Sequence, residues 1–141
     1  GRVMVRVKLI NNDDRIAVRL GGLRPDQVRT LELDMLVDTG ATTGVIPEEV
    51  VEALGLPYRN YKHSARLADG SLVELGVVGV AFEILGREEL CSFWVLPRGA
   101  SPLLGQVPLE LLDLVVTPST GEVTTNPAHG GQWIGELLSV A

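Results

Sequence analysis

Apolar and polar positions alternate from the start of the chain. Val3, Val5, Val7 and Leu9 stand between Met4, Arg6, Lys8 and Ile10, a period of two that predicts a strand with one drier face. The run "NNDD" at 11–14 predicts a turn, and residues 15–20 a second strand returning from it. Gly21, Gly22 and Pro25 mark a loop, and residues 28–37 form a third strand that runs into Asp38. The segment "IPEEVVEALGLP" is the best helix: Pro47 suits its first turn, and Glu48 and Glu49 its positive end. Val50, Val51 and Leu54 give it an apolar stripe, Gly55 a C-cap and Pro57 a stop.

Further on, "RLADGSLVEL" predicts a hairpin with a two-residue Asp69-Gly70 turn. Residues 75–85 and 89–96 are two more strands turned around Gly86. A short helix follows near 107–112, then strands at 114–117 and 122–125 around a turn at 118–121. Residues 126–131 are loop-like, and 133–140 carry no clear pattern. Many short strands with one or two short helices make an all-β chain, and one closed or partly closed antiparallel domain is the natural form.

Composition narrows the function. A chain of 141 residues is the size of one domain, and at 45% hydrophobic and 4% aromatic its core must be mostly aliphatic. The net charge is -6 and no basic stripe occurs, which argues against nucleic acid as a partner. No apolar run reaches the length of a membrane span. Cys91 is the one cysteine, so no internal disulfide can form, and in "LCSFWVLP" it reads as a buried thiol. With only His63 and His129 beside it, the ligands for a metal site are lacking, so no metal is expected. Both histidines are expected at the surface or in loops, and Trp94 and Trp133 as packing residues. The N-terminus lacks a signal-peptide core, so a cytoplasmic location is expected, although Gly1 in place of Met leaves a trimmed end or a larger parent chain open.

The stretch "LVDTGATT" at 36–43 carries the candidate chemistry. A carboxylate at the end of an apolar strand is costly unless something uses it. Asp-Thr-Gly could be a plain turn. Asp38 could instead pair with Asp34 on the same strand face, but four residues of strand hold them about 13 Å apart. Paired glycosidase carboxylates need about 5–9.5 Å. The third use is a carboxylate that meets its own copy on another subunit.

Here the residues carry a resemblance. Leu36-Val37-Asp38-Thr39-Gly40-Ala41 resembles the active-site loop of retropepsin-like aspartic proteases, the family of retroviral proteases and their bacterial relatives. Leu103-Leu104-Gly105, followed by "QVPLELLDL", resembles the family's second mark, two apolar residues and a glycine leading into a short helix. Between them "LADGSLVEL" occupies the place of the family's flap, the mobile hairpin that covers substrate. Order and spacing agree over residues 28–117, and the tail after Gly121 has no counterpart.

The resemblance implies an acid-protease barrel with one lobe per chain, residues 1–125 being the protease domain. Residues 126–141 are left as a tail without a role, with the domain surface and the dimer interface as its open positions. It implies a homodimer, because the chain has one Asp-Thr-Gly loop where a pepsin-like chain has two. The implied catalytic residue is Asp38, supported by Thr39, Gly40 and Ala41, with Leu103, Leu104 and Gly105 packed beneath. Asp69, Gly70 and Ser71 would form the flap tip, and residues near Ala41, Ile84 and Val107 would line substrate pockets. The implied activity is hydrolysis of peptides or unfolded protein, with no metal or organic cofactor. A dimerising peptide-binding module with little or no hydrolysis is the alternative.

Overall fold

The computed structural model describes residues 2–117 and 119–137. Nine strands and three short helices alternate along them: β1 (Met4–Ile10), α1 (Asn12–Arg19), β2 (Thr30–Val37), β3 (Val45–Pro47), α2 (Glu48–Leu54), β4 (Tyr58–Arg66), β5 (Leu72–Ile84), β6 (Arg87–Leu96), β7 (Leu103–Leu104), α3 (Gln106–Leu111), β8 (Leu114–Thr117) and β9 (Glu122–Thr125). Strands β1, β2, β7, β3, β6 and β5 pair in that order, and β1 then meets β5 through Lys8–Glu83, Leu9–Phe82 and Ile10–Ala81. The ring is thus partly closed, by a contact of three residue pairs. Strand β4 lies outside it, on the part of the same β5 edge that β1 does not use.

The aliphatic composition appears directly in the core. Val7, Leu9, Met35, Ile46, Val80 and Leu104 are buried inside the ring, around the tilted pair Phe82 and Phe93 at 5.7 Å. In β1 the alternation holds up to its last residue: Val5, Val7 and Leu9 are buried and Met4 is exposed, but Ile10, on the expected wetter face, is buried as well. The helix at 48–54 buries Val50, Val51 and Leu54 as expected, with Pro47 just before its first turn. Gly55, at φ 63, ends it. The N–H groups of Gly55 and Leu56 return to the carbonyls of Glu52 and Val51, closing the helix in a Schellman turn.

Three expectations need correction. Residues 15–20 are not a strand; most of them belong to α1. Asn11 is its N-cap, with Oδ1 accepting the Asp14 N–H at 2.9 Å. Asp13 and Asp14 occupy the positive end and Arg19 the negative end. The Asp14 carboxylate then takes three hydrogen bonds from Arg29, at 2.9, 3.0 and 3.0 Å, which hold its pKa below the ordinary carboxylate range. Second, the ring is not wholly antiparallel: β2 pairs with β7, and β3 with β6, in parallel. Third, the β4–β5 turn is longer than two residues. Leu67 N–H donates to Ser71 O and Gly70 N–H to Leu67 O, so Ala68, Asp69 and Gly70 form the loop, with only Gly70 at positive φ (88). That is a turn followed by a left-handed glycine, which a three-residue hairpin loop requires.

The chain beyond β9 is held to the ring by polar contacts. Arg87, at the start of β6, is buried; its guanidinium donates to the carbonyls of Leu112, Asp113 and Gly131 and lies 5.7 Å from the Trp133 ring. The Trp133 indole donates to Leu111 O at 3.0 Å. His129 lies in the loop segment, one of the two expected positions, but it is partly buried. Its ring is 15% exposed, with Nδ1 2.6 Å from Asp113 Oδ2 and Nε2 3.2 Å from Glu136 Oε1. Asp113 also accepts from Asn126 Nδ2 and Ile134 N–H.

This cluster sets a pH window. Asp113 raises the His129 pKa, with Glu136 adding to it, and His129 is the first cause that lowers the Asp113 pKa. A raised imidazole contributes stability below its unfolded value and loses it as pH rises through the folded value. A lowered carboxylate contributes above its unfolded value and loses it as pH falls through the folded one. Docking of residues 126–137 should therefore be firmest between about pH 4 and 6.5, the two ordinary values. Trp133 fluorescence across a pH titration reads this directly. His129→Gln should remove the alkaline limb of the change, and an unaltered limb would place the titration elsewhere.

Candidate active site

The site is built where two parallel strands end together. Leu36 pairs with Leu103 and Val37 with Leu104, so β2 and β7 point the same way and release their loops side by side. Asp38 is the first residue beyond β2. Its N–H donates to Leu104 O at 3.0 Å, which continues the pairing by one bond, and its carbonyl accepts the Ala41 N–H at 3.0 Å to close a turn. Leu104 is fully buried and Val37 packs against the core, so the loop is rooted in the hydrophobic interior. Asp38, Thr39 and Gly40 themselves are exposed.

Within that turn the carboxylate is oriented by backbone. Asp38 Oδ1 accepts the Gly40 N–H at 3.0 Å. A Cβ at Gly40 would lie 3.2 Å from the same oxygen, so a side chain there would crowd the carboxylate. The Thr39 hydroxyl makes no hydrogen bond among the described residues.

Helix α3 locks the loop from below. The first N–H groups of a helix have no partner within it. Here Gln106 N–H donates to Ala41 O and Val107 N–H to Thr42 O, both at 2.9 Å. Gly105 makes the approach possible: a Cβ there would stand 2.4 Å from Thr43 O and 2.6 Å from Ala41 O. Residues 38–41 and 103–105, 62 or more positions apart in the chain, are thus brought into one unit.

Two neighbours escaped the sequence reading. The buried Thr43 donates its hydroxyl to Ser92 O at 2.8 Å and sits 3.5 Å from Cys91 Sγ, tying the loop to β6. Gly44 gives its carbonyl to Trp94 N–H, and a Cβ on it would strike the Phe93 ring at 2.5 Å. Gly44, four residues beyond Gly40 and just before an apolar strand, was the available signal. Cys91 is half-buried, and burial raises its pKa, which suits an inert thiol.

The remaining expected residues lie apart. Asp34 is on β2, 3.4 Å from Arg6, and is engaged there. Asp69, Gly70 and Ser71 are exposed at the tip of the β4–β5 hairpin. Asp69 Oδ1 accepts from the Ser71 N–H and hydroxyl, which lower its pKa, and Arg66 donates to Gly70 O. No hydrogen bond joins this tip to residues 38–41 or 103–105 among the described residues. Ile84 is not a pocket residue: it is 1% exposed within the core. Ala41 is half-buried and Val107 is exposed. Two concavities, of about 450 and 610 Å³, lie elsewhere on the surface, and Asp38 lines neither. No group of three metal-ligating side chains occurs among the described residues, and no described helix is long and apolar enough to cross a membrane.

The backbone contact at Gly105 makes a direct prediction. Gly105→Ala should lower stability by about 1–3 kcal/mol, as overpacking does, and shift the denaturation midpoint accordingly. Gly22→Ala, where a Cβ would meet only Ala17 O at 3.6 Å, is the control and should shift it little. Equal midpoints for the two variants would show that the loop and α3 are not locked as described.

The architecture can be set beside known proteins. Similar solved structures include the EIAV protease in complex with an inhibitor, at TM-score 0.48 and 26% identity, covering 56% of this chain and 75% of that one. The simian foamy virus (mac) protease follows at 0.46 and 18%, covering 75% and 92%. A retropepsin-like aspartic protease from Rickettsia conorii stands at 0.47 and 16%, covering 82% and 84%. No curated protein matches the chain. Residues 16–107 match the family model described as aspartyl protease, and that span includes both 38–41 and 103–105. With this match over more than half its length, the chain belongs to the aspartyl protease family.

Proposed function

We propose that the protein is a homodimeric aspartic endopeptidase in which two copies of Asp38 meet on a two-fold axis. The observation that carries this reading is the exposed Asp38 carboxylate, braced by Gly40 N–H on a loop locked to α3, in a chain of the aspartyl protease family. A rigidly held acid open to solvent is half of a catalytic pair. Among the described residues no second carboxyl bonds Asp38, and Asp34 on the same strand lies beside Arg6 instead.

In the pair, two carboxyls in contact share one proton, an arrangement for which aspartic proteases are the standard instance. The ionised Asp38 takes a proton from a water held between them as that water attacks the scissile carbonyl. The protonated Asp38 donates to the carbonyl oxygen, so a tetrahedral intermediate forms with no covalent link to the enzyme. Proton transfer to the leaving nitrogen then releases the two peptide products. Thr39 would hydrogen-bond across the axis and fix the two loops. Asp69, Gly70 and Ser71 would close over the peptide as the flap, which binds much as an added strand does. Residues 1–125 form the catalytic domain in this reading, and a cytoplasmic setting suits the lone thiol.

Among the described residues no other carboxyl bonds Asp38, and this favours one other reading. A protein that remained monomeric would be a peptide-binding module with weak or no hydrolysis.

Cleavage of peptides or unfolded protein should peak below neutral pH and fade as both carboxyls ionise. Asp38→Asn should reduce turnover by orders of magnitude with the fold intact by circular dichroism; retained turnover would move the chemistry elsewhere. Specific activity should also fall on dilution, in step with dimer dissociation followed by sedimentation. A fully active monomer would overturn the paired mechanism.

A further inference from the structure

We propose that Lys62 and Arg66, on the open face of the β4–β5 hairpin, select peptides carrying acidic side chains. The inference rests on the protease reading above, and specifically on the hairpin being the flap.

The charge pattern of β4 is unusual for this molecule. The chain as a whole carries -6, yet β4, "YRNYKHSAR", holds three of its twelve Lys and Arg residues and no acid. Elsewhere, Arg6, Arg15, Arg24, Arg29 and Arg98 each meet a carboxylate. Arg59, Lys62 and Arg66 form no ion pair among the described residues. These cations are exposed, on a strand whose outer edge has no partner strand among the described residues.

Register sorts them by face. Directly paired residues of a sheet point to the same side. Val78 pairs with Phe93 and Gly76 with Val95, and Val78, Phe93 and Val95 belong to the core, so this side of β5 faces the barrel interior. Lys62 pairs with Gly76, Ser64 with Glu74, and Arg66 with Leu72, which puts Lys62 and Arg66 on that same side. Beyond the ring this face is open: Lys62, Ser64, Arg66, Leu72 and Glu74 are all exposed. The opposite face already has contacts, although Arg59 and His63 on it remain exposed. There His63 stacks on Trp94 at 4.6 Å, and Arg59 lies against Gly79. A hairpin that covers a peptide meets it with its open face. That face offers two cations without an ion pair among the described residues, Arg66 donating only to Gly70 O, together with one exposed leucine and, on the strands, Glu74 as the single acid, which bonds neither cation.

Charge on an edge strand also discourages pairing with other chains. That role is indifferent to which face bears the charge and gives no preference among peptides, so the two can be separated. The probes are fluorescent peptides of one apolar sequence that differ only in carrying Glu or Gln at the flanking positions. Binding is read by anisotropy on Asp38→Asn, and cleavage by competition on the wild-type protein. The Glu peptide should bind about three- to tenfold more tightly at low salt, and the difference should shrink at high salt. Lys62→Gln with Arg66→Gln should abolish it, while Arg59→Gln, altered on the other face, should retain it. Melting curves establish that each variant is folded. Equal binding of the two peptides, no binding of either, or a preference that survives the double substitution would overturn the proposal. A preference in binding without any cleavage would sink the catalytic reading and leave this one standing.

Discussion

The structure turns on a mutual debt of hydrogen bonds between a loop and a helix. The opening N–H groups of α3 lack partners within the helix, and Ala41 and Thr42, whose carbonyls accept from them, lie outside any strand. Each supplies what the other lacks, across a contact so close that only a glycine fits at 105. The parallel pairing of β2 with β7 brings them within reach. Once this junction forms, Asp38 has little freedom. Its N–H is bound to Leu104, its carbonyl to Ala41, and its carboxylate to Gly40. The cost of presenting an acid at the end of an apolar strand is then met by the Gly40 N–H and by the exposure of the carboxylate.

Much of this was legible because the elements obey local rules. The alternation of Val5, Val7 and Leu9 marks a half-buried strand whatever surrounds it. Gly55 and the glutamates before it define the ends of α2 from nearby residues alone. The Asp-Thr-Gly and Leu-Leu-Gly marks could be placed in order, since each is a short run with its own shape. Helix α1 was misread because Ile16, Val18 and Leu20 alternate as a strand would, while Leu20 is 77% exposed and the helix is decided by the Asn11 cap and by Arg29. The parallel joins were not legible, because β7 is two residues long and its partner is fixed only by the partly closed ring.

The least legible part was the polar clasp of the C-terminal segment. Arg87, Asp113 and His129 are far apart in the chain, and each alone looks like an ordinary surface residue. Asp113 adopts a left-handed backbone, φ 54, that only Leu85 shares among the described non-glycine residues. Its carboxylate takes bonds from three later residues, and Arg87 binds its carbonyl. Long-range polar geometry of this kind leaves no periodic trace. A similar economy appears at Asn11, whose oxygen caps the start of α1 and whose amide nitrogen donates to Leu54 O at the end of α2. One side chain thereby fixes the spacing of two helices.

Strand β5 serves β4 along its first part and β1 along its last, while β6 runs beside it on the other edge. It therefore behaves as a cantilever, clamped in the barrel at one end and carrying the hairpin at the other. Sliding is blocked, because a one-residue slip would turn every clamped side chain to the wrong face. The ladder between β4 and β5 is interrupted once, between Tyr58 and Lys62. A break of this kind bends and twists the strand locally. Residues 58–62 therefore mark the place where the hairpin leaves the regular ladder.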